Sequence, residues 1–265
     1  MKLLFSEAKP DYAHYVFPYA VWAFPESHET PADLFAAGFL ASTPEMKRFY
    51  LCRHTRVNLA QFAPSSENRR ILRRGENLRV ALVPRAEFEL TPARRDFAHA
   101  YSTAKYPPGM SDERLTRLFN SPLTTHVLVA ADPAQPGVEI GFAALYLEPN
   151  RAAFYSYSFY DLAHPNRSLG LFIMTSTVAE LARQGYAHLY LGTCYAENAL
   201  YKSQFAGFEF FNGARWSANV GELKAILHRQ AAPETEGHLL EDAAFTAAHG
   251  LTDLPALAAA SPFRT

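Results

Sequence analysis

The chain has 265 residues, of which 49% are apolar and 14% aromatic. That is enough core material for one large domain or two small ones, and it excludes an intrinsically disordered protein. The formal net charge is −1, and no stretch approaches the ~20 consecutive apolar residues of a membrane span, so neither a chain-wide basic field nor a membrane-embedded chain is expected.

The predicted elements alternate between strand and helix. Residues 15–24 suit an edge strand. PADLFAAGF (31–39) reads as a helix that stops at Gly38. Residues 48–62 read as one strand with Val57, Leu59 and Gln61 on a shared face. SSENRRILRR (65–74) is a basic helix capped by Ser65 or Ser66, and residues 78–84 form a short strand ended by Pro84. Capped helices follow at 91–106 and 111–122. Residues 125–131 and 140–147 form a hairpin, and 152–160 continues its sheet. A crossover helix is expected over 167–184, then a parallel strand at 187–192. A short helix at 198–205 and a last strand at 208–212 complete the pattern. After about Arg229 the chain is rich in Ala and acids and reads as a weakly docked helix or frayed tail.

Charge is distributed unevenly. Between Arg53 and Arg79 seven Arg face two Glu, a local +5, whereas residues 231–265 carry −4. A basic patch of that kind binds polyanions even on a neutral chain. Arg69, Arg70, Arg73 and Arg74 are therefore candidate nucleic-acid contacts, although most charge runs are solvated faces. Cys52 and Cys194 are the two cysteines, with no CxxC or Cys/His ligand spacing, so no metal site is expected. The N-terminal apolar run is too short for a signal peptide, and a reduced, cytoplasmic protein is expected.

Three groups of residues point to chemistry. Arg167, Ser168, Leu169 and Gly170 open the crossover helix, where free N–H groups and the helix dipole favour an anion or polarised oxygen. Strand alternation puts Tyr155, Tyr157 and Phe159 on one face and Ser156, Ser158 and Tyr160 on the other, a lining that suits a substrate groove as well as a core. Asp161 follows as either a turn residue or a carboxylate that positions an amine. Tyr201 and Lys202 lie near the opening between the two preceding strands, with Gly192 and Thr193 on one of them. A phenol there protonates a leaving oxygen or sulfur, and a lysine neutralises phosphate. His188 and Cys194 read as structural.

Several of these segments resemble one family. YSFYDLAHPNRSLG, YLGTCY and YKSQF are similar to the C-terminal half of the arginyl- and leucyl-tRNA–protein transferases, which has the GNAT acyltransferase fold. DFAHAYSTAKYPPGMSDERLTRLFNSP resembles that family's connecting segment, where an Arg-His pair usually replaces Lys105-Tyr106. FPYAVWA, GFLAS and TRVNLAQFAPSSENRRILRR resemble its N-terminal domain, and the likeness spans roughly residues 15–230. That domain typically carries several cysteines implicated in a metal or cluster site, including a CPY start. This chain has Phe17-Pro18-Tyr19 and keeps only Cys52.

The resemblance implies a mixed α/β fold with an N-terminal α+β domain (1–91) and a GNAT-like acyltransferase domain (92–230), divided where composition changes at Thr91–Pro92; composition adds an acidic, Ala-rich tail (231–265). It implies an aminoacyltransferase that moves an amino acid from aminoacyl-tRNA to an amine, most simply a protein or peptide N-terminus, with no cofactor and no membrane partner. Asp161 and Tyr201 would carry the chemistry. Two alternatives stand beside it: a GNAT N-acyltransferase that uses acetyl- or acyl-CoA, and a relative that binds tRNA or peptide without turnover. RSLG lacks the glycine-rich pattern of pyrophosphate-binding acetyltransferases, which favours the tRNA ester.

Overall fold

A computed structural model describes residues 1–7, 11, 18–135, 137–166, 168–231 and 242–262. In chain order it forms β1 (Lys2–Glu7), β2 (Tyr19–Phe24), α1 (Pro31–Ala36), β3 (Phe39–Ala41), β4 (Phe49–Leu51), β5 (His54–Asn58), α2 (Ser66–Arg74) and β6 (Arg79–Pro84). Then follow α3 (Pro92–Lys105), α4 (Asp112–Asn120), β7 (His126–Ala131), β8 (Glu139–Glu148), β9 (Ala152–Tyr160), α5 (Leu169–Arg183) and β10 (His188–Thr193). A 3₁₀ segment at Glu197–Gln204, β11 (Phe208–Phe211), β12 (Trp216–Ser217), α6 (Val220–Ala231), α7 (Ala243–Ala248) and α8 (Leu254–Ala260) complete the described chain.

The strands form two sheets. A large sheet runs β12-β11-β5-β10-β9-β8-β7-β6, and a small antiparallel sheet runs β1-β2-β4-β3. The expected mixed α/β, GNAT-like arrangement is present: β8 and β9 pair antiparallel, α5 crosses over, and β10 returns parallel to β9. β5 and β6, which precede residue 92, are both strands of the large sheet.

Each face of the large sheet buries a different layer. On one face, Val57, Ile71, Ala143, Leu145, Tyr155, Phe172, Ile173 and Leu189 form a core beneath α2 and α5. The other face is shared. Helices α3 and α4 cover one part through Leu115, Phe119, Phe142 and Phe159. The small sheet and α1 cover the rest through Phe35, Phe39 and Phe49, which meet Tyr146, Phe154 and Tyr190. Along β8 the odd positions 143, 145 and 147 belong to the first core and Ala144 and Tyr146 to the second face, as a period of two requires.

The helix starts are local and follow the sequence. Ser65, Thr91 and Ser111 each accept a hydrogen bond from the backbone N–H three residues on. Four expectations need correction. β2 pairs with both β1 and β4, so it is an interior strand. Residues 48–62 do not form one strand: the chain breaks at Cys52–Arg53 into β4 and β5, which join different sheets, and Leu59–Gln61 is a 3₁₀ turn. β12 and α6 have no counterpart among the expected elements, yet Leu223 and Leu227 of α6 bury against Phe208 and Phe210. Beyond residue 241 the chain is anchored by Phe245 and Leu251, both buried. Residues 232–241, which carry three of the five acids of the acidic segment, lie outside the described residues.

Candidate active site at the parting of two strands

The site forms where β9 and β10 separate. Their parallel pairing covers only Ala152–Phe154 against His188–Tyr190. Past that point β10 stays with β5 on its other edge, through Gly192↔Thr55 and Thr193↔His54. A register irregularity between Tyr190 and Gly192, with Gly192 at φ 78°, turns β10 away from β9. Residues 155–160 of β9 therefore present backbone polar groups to an open gap rather than to a strand.

β9 also carries a bulge. Opposite β8, Ala144 pairs with Tyr157 and Leu145 with Tyr155, which leaves Ser156 without a partner. This overturns the expected alternation. Tyr155 lies in the core beneath α5, whereas Phe159 packs with Phe88, Phe119 and Phe142 under α3 and α4. Tyr157 shares the Phe159 side, and Ser158 and Tyr160 face α5. One inserted residue reverses every side chain that follows it.

On the α5 side the gap opens into a pocket of about 290 Å³ lined by Ser158, Tyr160, Gly170, Met174, Tyr106 and Tyr201, among others. In the core beside it, Thr175 Oγ1 is buried without a hydrogen-bond partner, and burial raises the Tyr155 phenol well above its ordinary range, opposed by a hydrogen bond with Ser158. Tyr201 stands on the 3₁₀ segment; burial, followed by Tyr106 and Tyr160, pushes its phenol up to about 12. It therefore keeps its proton at neutral pH and can donate it. A Cβ on Gly170 would lie 2.5 Å from the Tyr160 ring, so the first turn of α5 lies directly against that aromatic.

The start of α5 is made by the loop before it. Ser168 N–H donates to Asn166 Oδ1 (3.1 Å) and Leu169 N–H to Asn166 O (3.0 Å). Ser168 makes no side-chain cap, and Leu169 is buried in the core. Arg167 lies outside the described residues. Asp161 ends β9: its N–H donates to Ile140 O, and its Oδ1 accepts from Ala163 N–H at 2.8 Å, which is the turn-forming reading.

Lys202 is half-buried. Its Nζ donates to Thr193 O at 2.7 Å and lies 3.9 Å from the Cβ position of Gly192, at the foot of the gap. Burial draws its ammonium down to about 8, with only the Cys194 thiol opposing. A lysine whose folded-state value falls below its unfolded one loses stability as pH drops from about 10.5 to 8 and recovers none below that. At pH 7 its charge is therefore a cost. Lys202→Met should raise the stability of the protein by about 1–3 kcal/mol while lowering its activity several-fold. Urea unfolding midpoints and turnover of the purified variant check both.

The basic helix flanks this site. Arg69, Arg70, Arg73 and Arg74 are all exposed on α2. Arg70 pairs with Glu67, and Arg69 Nη1 donates to Pro64 O. A Cβ on Gly75 would lie 2.3 Å from the Phe172 ring, so the end of α2 abuts the first turns of α5. Arg74 and Asn166 line one cleft of about 610 Å³, and Asn166 Nδ2 is buried there without a partner.

Among the described residues the cysteines gather no ligand set. Cys52 Sγ lies 3.9 Å from Gly38 O, and burial pushes its thiol up to about 12. These surroundings do not fit a cluster or metal. Elsewhere, Glu26, His28 and Glu29 bring ligand atoms within 4.8 Å of one another, and the Met1 amine pairs with both glutamates.

No family model matches the chain. An aspartate/glutamate leucyltransferase of Stenotrophomonas maltophilia is 26% identical over 200 residues, 71% of this chain and 77% of that protein. Enzymes of the same name from Marinobacter nauticus and Pseudomonas fluorescens are each 29% identical over 198 residues, covering 70% of this chain and 80% and 81% of theirs. The chain is thus similar over about 70% of its length to enzymes named aspartate/glutamate leucyltransferase. Among solved structures, the C-terminal domain of a putative lysylphosphatidylglycerol synthetase from Agrobacterium fabrum is similar over 62% of this chain and 51% of its own, with TM-score 0.42 and 18% identity. A GCN5-related glucosamine N-acetyltransferase region of a fungal β-N-acetylglucosaminidase is similar over 60% of this chain and 19% of its own, with TM-score 0.39 and 12% identity.

Some lining residues carry no sequence signal. Ser158 and Met174 read as ordinary strand and helix positions, and only the bulge and the crossover bring them together. Lys105 and Tyr106 do carry one, because they stand where the leucyltransferase-like pattern departs from its usual Arg-His pair, and both line the pocket.

Proposed function

We propose that this protein transfers an amino acid, leucine in the first instance, from aminoacyl-tRNA to the N-terminal amine of a protein or peptide that begins with Asp or Glu. The observation that carries the reading is the gap between β9 and β10, which opens into a polar aromatic pocket beside the exposed basic helix α2. The names of the similar enzymes support both donor and acceptor. The tRNA co-substrate implies a cytoplasmic setting. Among the described residues no helix is long and apolar enough to cross a membrane.

In this reading the aminoacyl group occupies the pocket against Tyr160, Ser158 and Tyr201, and the gap presents its ester carbonyl. Ser168–Gly170 lie where the tRNA 3′ end would enter, and Arg69, Arg70, Arg73 and Arg74 hold its backbone. The attacking amine's nitrogen bonds to the carbonyl carbon and its proton passes to solvent water, which restores any proton Tyr201 gives up. The ribose oxygen leaves with a proton from Tyr201 or water, so an amide replaces an ester and no cofactor is consumed. An ester of this kind is already activated, so positioning supplies most of the acceleration; effective molarities reach about 10⁵ M or more.

Asp161, whose Oδ1 is engaged by Ala163, positions the incoming amine through its second oxygen. Asp161→Ala therefore lowers the transfer rate by about tenfold without abolishing it, as single-turnover assays will measure. Loss of all activity in a folded variant would give Asp161 a larger chemical part.

The basic helix is tested by salt. Removing one cation that neutralises a phosphate lowers the slope of log affinity against log salt by roughly 0.7–0.9. Arg73→Gln/Arg74→Gln together are expected to weaken tRNA binding and reduce that slope by about 1.5, measured by filter binding between roughly 50 and 200 mM salt. An unchanged slope would remove α2 from the tRNA path.

A further inference from the structure

The second face of β9 has its own cleft. It measures about 450 Å³ and lies between the turn at Ser42–Pro44 of the small sheet, the first turns of α4, and the bulged Ser156 and Tyr157. This is the seam where the two layers on that face meet. Positions 156 and 157 open into it, and positions 158 and 160 open into the α5 pocket. Between Phe154 and the end of β9 no strand among the described residues pairs with the edge toward β10, so the two cavities open on the two faces of β9 beside one gap.

The cleft is built for a carboxylate. Arg114 Nη2 donates to Tyr157 Oη at 2.9 Å, and the guanidinium stands 5.9 Å over the Tyr157 ring. Among the described residues no carboxylate pairs with Arg114. Arg117, one turn on, lies 3.7 Å from Glu45 and is partly satisfied. Thr43 Oγ1 lines the same wall and is a buried hydroxyl oxygen with no hydrogen-bond partner. A charged fork fixed by a phenol, beside an unpaired hydroxyl, is an arrangement completed by an anionic group of carboxylate shape. Glu113 on the rim has the opposite sign and suits an ammonium.

Resting on the transfer reading above, we infer that this cleft selects the acceptor: Arg114, oriented by Tyr157 and seconded by Thr43, pairs with the side-chain carboxylate of an N-terminal Asp or Glu while the α-amine points through the gap to the ester. An N-terminal Ala would leave the fork solvated, and an N-terminal Lys or Arg would be repelled. Arg114 is thus a specificity-determining residue, not a catalytic one.

The experiment uses the full chain and C-terminally labelled peptides that start with Asp, Ala or Lys and are otherwise identical. Binding is read by fluorescence anisotropy without tRNA, and transfer from charged tRNA is read in parallel. The wild type should bind the Asp peptide about tenfold or more tighter than the Ala peptide. Arg114→Gln should reduce that ratio to about twofold or less, and Arg114→Glu should shift the preference to the Lys peptide. Tyr157→Phe, which keeps the ring and removes the hydroxyl, should reduce the ratio by a smaller factor, and tRNA affinity should be unchanged in all three. An Arg114→Gln protein that keeps the wild-type Asp-to-Ala ratio, or a wild type that binds none of the peptides, overturns the inference. The two readings separate cleanly. Selective binding that vanishes in Arg114→Gln, with no transfer by the wild type, keeps the carboxylate site and sinks the transferase. Transfer with undiminished selectivity in Arg114→Gln does the reverse.

Discussion

Gly170→Ala should leave the protein folded and remove about 99% of its transfer activity, a ~100-fold effect on rate. The added Cβ would lie 2.5 Å from Tyr160 Cε1 and Cζ and 2.9 Å from its hydroxyl. No real side chain tolerates such an approach, so the ring must move. It cannot retreat toward α3, because Tyr101 already stands 4.7 Å away on that side. The open direction is the pocket, where Tyr160 would occupy the space assigned to the aminoacyl group. The helix itself gains from the change, since Ala is about 1 kcal/mol better than Gly inside a helix. Stability should therefore stay within about 1 kcal/mol while kcat/KM drops about 100-fold, a loss near ~2.7 kcal/mol of transition-state stabilisation. The companion variant Tyr160→Ala removes the clashing ring. In the double variant the Gly170→Ala penalty should shrink to a few-fold, and that non-additivity is the signature of a shared space. Equal penalties in both backgrounds would mean that Gly170 acts on something other than Tyr160.

Mild acid should destabilise the protein well before its carboxylates protonate. His54 is fully buried among Phe35, Phe154, Tyr190 and Trp216, with only the Phe39 backbone favouring its charged form. Burial, then the charges of Lys202 and Arg56, pull its value down to about 3. The folded state thus holds a neutral imidazole, whereas the unfolded chain takes up a proton near about pH 6.5. A value depressed on folding means full stability above about pH 6.5 and progressive loss as pH falls toward about 3. The slope from this one group is about 1.4 kcal/mol per pH unit, so lowering the pH from about 6.5 to 5 costs roughly 2 kcal/mol. His188, less enclosed and lowered to about 4, acts in the same direction. Against a typical total of about 5–15 kcal/mol this is a large fraction. Urea midpoints at about pH 7.5, 6 and 5 measure it. His54→Leu should flatten the profile over that range, and a profile as steep as that of the wild type would assign the acid sensitivity to other groups.

How much of this is legible in the sequence depends on the range of the interaction that decides each feature. The caps at Ser65, Thr91 and Ser111 depend on residues three positions away, and all three are readable. The crossover of α5 and the parallel return of β10 follow from an apolar pattern and a handedness rule. Strand partners do not follow. β5 is inserted between β10 and β11, both of which lie far along the chain from it, and nothing local to residues 54–58 says so. The bulge at Ser156 is a register event with β8, so alternation alone puts Tyr155 and Phe159 on one face when they belong to opposite cores.

The site divides in the same way. Tyr160, Gly170 and Tyr201 line one pocket, although they stand in three separate groups along the sequence. Lys202 reads in sequence as a phosphate-neutralising cation; its half-buried seat on Thr193 O is set by which face of a short 3₁₀ segment is covered, which only the fold reveals. Arg114 gives no signal at all. It is one of several arginines on capped helices, and it becomes distinct only when α4 is laid beside the bulge of β9.

Whether this gap receives an amino acid from tRNA is decided by mixing the purified protein with tRNA charged with labelled leucine and with peptides starting in Asp, Glu, Arg or Ala, beside a parallel reaction supplied with labelled acetyl-CoA. A leucyl-transfer site at the parting of β9 and β10 gives alkali-stable label on the Asp and Glu peptides that requires charged tRNA and disappears in Gly170→Ala. Label from acetyl-CoA with none from charged tRNA would contradict it.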